Sequence, residues 1–153
     1  MILAVCLYAF TQDENKMAVS LGAELNMNTR EMFAGGFVLS FDYNLPVSVA
    51  PFAAGLAVTS SLNFKNTAVV EFAALLRWYF RNTGHDGWFA QADAGFCLIS
   101  EKRKKKLPLP SPVLAGIRTG YRLPLSSSFY MEPYARIGYS FFIGVGVTGG
   151  LRF

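Results

Sequence analysis

Few residues of this chain could do covalent chemistry, and their surroundings narrow them further. The single histidine, His85, is the one imidazole that could serve a serine or cysteine nucleophile as base. It stands in NTGHDG, residues 82–87, where Asn, Gly and Asp read as a tight turn and the imidazole as a polar turn residue. Paired carboxylates such as Glu71 and Asp93 could do general acid–base work, but the acids of this chain's alternating segments are matched in number by arginines, which fits structural pairing. Cys6 and Cys97 offer no CxxC or Cys/His spacing, so zinc and redox motifs have no footing. The glycines of residues 144–150 (GVGVTGG) lack the strand-to-helix setting and the Lys-Ser/Thr of a phosphate loop. No catalytic, cofactor-binding or metal-binding residue is assigned, and no enzyme activity is expected.

The elements that must position these residues are read from a greasy chain. Of 153 residues, 52% are hydrophobic, 15% aromatic and only 16% charged, against roughly 25% charged in an ordinary soluble domain. No stretch approaches the ~18 consecutive apolar residues of a transmembrane helix, and the richness in Phe, Tyr, Val and Leu excludes disorder. The length allows one domain. Turn residues recur at 26–31, 43–46, 60–66, 82–87, 101–112 and 123–128, which predicts an antiparallel all-β chain. Eight strands are expected at 17–27, 33–43, 47–58, 67–80, 88–98, 113–123, 129–141 and 143–153. Such lengths suit tilted membrane-spanning strands of ~9–11 residues better than the ~5–6 of soluble proteins. Pro51 and Pro133 fall inside two of them and would each delete a ladder hydrogen bond, so bulges or local irregularity are expected there. The third segment is ambiguous in phase, and residues 69–80 could pass locally as an amphipathic helix; their alternating neighbours argue for a strand.

Alternation then separates two faces, because successive strand side chains point to opposite sides. In the last segment Ile143, Val145, Val147, Leu151 and Phe153 share one parity, and Gly144, Gly146, Thr148, Gly150 and Arg152 the other. In the seventh, Phe129, Met131, Pro133, Ala135, Ile137, Tyr139 and Phe141 oppose Tyr130, Glu132, Tyr134 and Arg136. Across the chain, Glu24, Asp42, Glu71, Asp93 and Glu132 fall on one face with Arg77, Arg118, Arg122, Arg136 and Arg152, and the other face carries no charge. Three pairs carry the inference, because Glu71/Arg77, Arg118/Arg122 and Glu132/Arg136 share a parity whatever phase is chosen. A soluble ligand-binding barrel such as a lipocalin would reverse this polarity. A barrel wall in lipid requires it. All six lysines fall outside the expected strands, whereas five of the eight arginines point inward, where a planar guanidinium can hold carboxylates bidentately. The expectation is an ion-pair network filling a lumen that, at eight strands, is just wide enough for side chains.

Two segments lie outside this pattern. Residues 1–10 (MILAVCLYAF) form an apolar run before the polar TQDENK and resemble a signal-peptide core without its positive flank; residues 1–16 are a leader or an unstructured amino terminus, and 17–153 the barrel domain. The run Lys102, Arg103, Lys104, Lys105 and Lys106 accounts for much of the basic excess, leaving nine bases and nine acids outside residues 101–106. It could hold a polyanion, such as a host or environmental glycosaminoglycan or anionic headgroups, through salt-sensitive contacts. No aromatic residue interleaves it, so nucleic acid is not an expected partner. The plain alternative is a solvated loop that keeps a strand end out of the bilayer.

The terminal GVGVTGGLRF, residues 144–153, resembles the assembly signal of bacterial outer-membrane barrels, with Phe153 and Leu151 in its pattern although an aromatic is common at the position of Leu151. With segments such as RWYF (77–80) and GWF (87–89), residues 17–153 resemble the small eight-stranded barrels of the OmpX/OmpW-like or OmpA-type group of diderm bacteria. The resemblance implies an outer-membrane location, partnership with outer-membrane lipid and the barrel-insertion machinery, both termini in the periplasm, and outer loops at the cell surface. An aromatic girdle would then comprise Phe41, Tyr43, Trp78, Phe80, Trp88, Tyr121, Phe129 and Phe153 at the periplasmic ends, with Phe33, Phe96, Tyr139 and Phe141 at the opposite ends. For activity it implies a non-enzymatic barrel acting structurally or through its outer loops. The OmpW-like side of the resemblance implies a narrow channel for small or hydrophobic solutes instead, and a lipid-modifying barrel enzyme is a third possibility.

Overall fold

The computed structural model describes residues 16–27, 33–45, 51–63, 67–80, 85–101 and 109–153. Eight strands follow in chain order: β1 (Met17–Met27), β2 (Phe33–Asn44), β3 (Phe52–Asn63), β4 (Thr67–Tyr79), β5 (Gly87–Glu101), β6 (Leu109–Pro124), β7 (Phe129–Tyr139) and β8 (Ile143–Arg152). Each pairs antiparallel with its neighbour, and β1 pairs with β8 to close the barrel. Closure leaves no edge strand along the wall. At the seam, Met17 and Phe153 exchange two backbone hydrogen bonds of 3.0 Å.

The sorting of side chains is inverted relative to a soluble barrel. Leu25, Phe37 and Trp88 on the outer wall are 60–70% exposed, whereas Asp42 and Arg77 inside are 1% exposed. Among the described residues the outer face of the strands carries no charged side chain in the positions whose exposure is defined. An outward hydroxyl is still satisfied, since that of Thr119 donates to the Phe89 carbonyl at 3.0 Å, which removes the cost of an unpaired polar group on an apolar wall.

Four strands depart from the expected pattern. β3 runs over 52–63, five residues beyond the expected 47–58, and Pro51 precedes it; residues 46–50 lie outside the described set. The polar Thr59 and Ser61, part of a stretch that resembles a turn, are strand residues buried in a polar interior. β5 and β6 likewise extend to Glu101 and back to Leu109, with a register shift between Gly95 and Cys97. At Pro133 the β6–β7 ladder lapses between the pairs Gly120/Tyr134 and Leu123/Met131 while the register on either side is unchanged. Finally, β7 ends at Tyr139, and the bend that follows turns Phe141 inward while Phe142 faces out. Phe141 joins Ala34, Val69, Cys97 and Leu114 in an apolar cluster inside the barrel end remote from the termini, so it is not an outer-girdle residue. Strand alternation stops being a guide once the backbone leaves the ladder.

Candidate functional site

The lumen is the site, and it is built from inward-facing positions of all eight strands. Near the termini, Asp42 on β2, Arg77 on β4, Arg122 on β6 and Glu132 on β7 form a closed ring of ion pairs. Arg77 reaches Asp42 at 3.1 Å and Glu132 at 2.9 Å. Arg122 reaches Asp42 at 3.2 Å and bonds Glu132 through Nε. Aromatic faces hold both guanidinium groups: Arg77 lies 4.4 Å from the Phe89 ring centroid and Arg122 4.1 Å from that of Tyr130, a geometry in which a desolvated cation gains from the ring quadrupole. Arg77, Arg122, Tyr79, Tyr130 and Phe89 are each under 2% exposed, so their side chains pack the interior at this level.

A middle layer joins this ring to the rest. Arg77 Nε donates to Gln91 at 2.8 Å, and Gln91 donates in turn to Asp93 at 2.6 Å. Asp93 faces Arg118 at 3.7 Å, and Arg118 lies over the Tyr134 ring at 4.4 Å. Arg118 and Arg136 are direct register partners on β6 and β7, an arrangement unfavourable for like charges. Each is turned toward its own carboxylates. Arg136 binds Glu71 at 2.8 Å and Glu24 at 3.2 Å, while Tyr134 donates to Glu24 at 2.9 Å and Ser140 donates to Glu71. The apolar cluster around Phe141 lies beyond this triad.

All ten charged residues assigned to the interior by alternation are buried there. Arg152 reaches Asp86, just before β5, at 2.9 Å. Leu151 and Phe153 lie exposed on the outer wall. Tyr43, Trp78, Phe80, Trp88 and Phe129 are exposed and Tyr121 half-buried at the end near the termini, with Trp78 against Phe80 at 4.9 Å and Trp88 edge-on to Tyr121 at 5.4 Å. The basic run Lys102, Arg103, Lys104, Lys105 and Lys106 lies outside the described residues, as do residues 1–15.

Sequence reasoning missed the sockets. A methyl group on Gly146 would meet the Tyr134 ring, one on Gly150 the Tyr130 ring, and one on Gly144 the side chains of Asn26 and Arg136. On the inner face of β8, Gly144, Gly146 and Gly150 therefore leave gaps that admit the bulky residues of β7. The signal was present as glycines sharing one parity beside a strand whose inward parity reads Tyr-Glu-Tyr-Arg. His85 is a turn residue, as its neighbours imply, and the turn carries its side chain inward. It is buried, with a positive φ of 55°, against Tyr79, and burial together with the Arg122 cation holds its imidazole below the usual histidine range. The interior carboxylates are occupied by guanidinium, amide and hydroxyl donors, and no group of three or more metal-ligating side chains occurs among the described residues.

No protein-family model matches the chain, and no curated protein matches it in sequence. Solved structures do. The crystal structure of Neisserial surface protein A (NspA) superposes with a TM-score of 0.67 at 12% identity, covering 90% of this chain and 96% of that one. The fold is that of the small eight-stranded barrels. The N-terminal β-barrel domain of Pseudomonas aeruginosa OprF gives a TM-score of 0.57 at 15% identity over 93% of this chain and 100% of its own. The outer membrane enzyme PagL gives 0.53 at 14% identity over 88% and 98%. At these identities the likeness concerns the barrel alone, since one barrel can carry unrelated functions.

Proposed function

We propose that this chain is an integral outer-membrane barrel with a closed lumen, non-enzymatic, whose role is structural or is exercised through its outer loops at the cell surface. The observation that supports this reading is the pairing of an apolar, uncharged outer wall with an interior in which charged and aromatic side chains occupy the bore. A wall of this kind is stable only against lipid, and a bore filled by paired ions and aromatic rings has no pathway to offer a solute. Among the similar structures, one is described as a surface protein and another as an outer membrane enzyme. The strand carboxylates of the lumen face arginines, and His85 is buried beside Tyr79 and not on the lipid-facing wall. In this reading the basic run Lys102, Arg103, Lys104, Lys105 and Lys106 is the contact surface for a polyanion, and outer-membrane lipid and the insertion machinery are the partners of assembly.

Planar-bilayer recording tests it. The refolded full-length chain should leave the bilayer electrically silent; reproducible single-channel steps would overturn the closed lumen and favour a narrow channel for small or hydrophobic solutes.

A further inference from the structure

We propose that the outer wall carries a seat for one acyl chain of a bilayer lipid, a groove across β8, β1, β2 and β3 whose floor is Gly35. The proposal rests on the reading above that this wall faces lipid. Outward positions of β2 begin Phe33, Gly35, Phe37 and Leu39, so a ridge of large side chains is interrupted at Gly35. The ladder sets Gly35 beside Leu25 of β1 and Leu62 of β3, and Leu25 beside Val145 of β8. In the next row Ala23 separates Phe37 from Val147. These side chains bound a groove of about 700 Å³, within the ~300–1,000 Å³ typical of small-molecule sites. Leu25, Phe37 and Leu62, 62–70% exposed, stand up as its walls. No charged side chain enters it: Glu24, which borders the floor, is 3% exposed and turned to Arg136 inside.

The missing side chain at Gly35 has no cause within the barrel. A methyl group on the inward Gly36 would collide with Ser61, whereas one on Gly35 would meet nothing within 4 Å. Glycine inside a strand marks a bulge, a bend or the close approach of a ligand or another backbone. The β1–β2 and β2–β3 ladders run through Gly35 without a register shift, which leaves an approach from outside. The groove is continuous with the lipid-facing wall, and what lies against such a wall is hydrocarbon. An acyl chain is apolar and has no hydrogen bonds to satisfy, which suits walls that offer only apolar side chains. Gly35 is the third residue of β2, at the end remote from the termini, so the chain belongs to the leaflet at that end.

The test refolds the full chain in phosphatidylcholine vesicles containing a phosphatidylcholine with a diazirine midway along one acyl chain; adducts formed on irradiation are mapped by peptide mass spectrometry. Per unit of exposed area, label at Leu25, Phe37 and Leu62 should exceed several-fold that at Leu39, Leu56 and Leu76, which are 50–64% exposed on the same wall. In Gly35→Leu, whose side chain fills the floor, the excess should vanish while label at the three reference leucines stays. Even labelling of the wild type, or an excess that survives Gly35→Leu, overturns the seat. Label confined to the reference leucines would give the groove to a second copy of the chain and overturns it as well. If no wall position is labelled, the lipid-facing wall itself is wrong, and the seat with it. Should Gly35→Leu fail to refold, Ala23→Leu, which narrows the same groove from β1, is read by the same outcomes.

Discussion

The two ends of the lumen solve the problem of buried charge differently. Near the termini, two arginines and two acids form a ring in which Arg77 and Arg122 each touch both Asp42 and Glu132. Every ion there has two opposite partners. Toward the other end, Arg136 is the one cation among the described residues that serves Glu24 and Glu71, with Tyr134, Ser140 and Asn26 supplying neutral donors, and an apolar cluster lies beyond. The ring is redundant and the triad is not. A buried ion pair adds little net stability, because desolvation offsets attraction, yet a buried charge stripped of its partner is expensive. Redundancy should therefore decide how each end responds to the loss of one cation.

The sharpest way to break this comparison is to remove one arginine from each end. Arg136→Ala leaves two carboxylates, both at or below 3% exposure, with no cation; the expected cost is about 3–5 kcal/mol. Arg77→Ala leaves Asp42 and Glu132 still paired to Arg122 and should cost less. Denaturant-induced unfolding from lipid vesicles measures both. Adding Glu71→Gln to Arg136→Ala should recover part of the loss, since it removes one stranded charge. Equal costs for the two single variants would show that the ring is no more redundant than the triad.

The sockets on β8 give a second, smaller contrast. Gly146→Ala places a methyl group against the Tyr134 ring, whose hydroxyl holds Glu24, and overpacking of this kind costs about 1–3 kcal/mol. Gly35 on β2 is open on its outer side, with nothing within 4 Å of an added Cβ, so Gly35→Ala should stay within about 0.5 kcal/mol of the wild type. The same unfolding experiment separates them. A Gly146→Ala variant as stable as Gly35→Ala would mean that Tyr134 moves freely and does not fix the triad.

The barrel was legible in the sequence because lipid and a filled lumen impose opposite demands on adjacent residues, and Glu132-Pro133-Tyr134-Ala135-Arg136 displays both within five positions. The bounds of β3 were not legible, because Thr59-Ser60-Ser61 is equally good turn chemistry and lumen lining. Phe141 misled for a related reason: parity holds only while the ladder does, and the bend after Tyr139 ends it. Which carboxylate each arginine selects was beyond a parity argument, since pairing crosses the lumen between residues as far apart as Glu71 and Arg136. His85 was hidden by its own neighbourhood, where Gly and Asp advertise an exposed turn while the imidazole is buried.

A smaller contrast than that between the two arginines concerns the boundary between the lumen and solvent. Asp86 pairs with Arg152 at 2.9 Å, but its side chain is 30% exposed against 6% for the arginine, so water and ions screen the pair from one side. Asp86→Asn keeps the shape and removes the charge, and should cost about 0.2–1 kcal/mol, the range of solvent-exposed pairs. Raising salt from about 0.1 M to 1 M shortens the screening length from roughly 10 Å to 3 Å, and this cost should shrink accordingly. That of Arg136→Ala should not, because its stranded carboxylates lie where mobile ions do not reach. If the two costs respond to salt alike, then either the mouth is dry or the triad is wet, and the solvent boundary drawn here between Asp86 and the strands is misplaced.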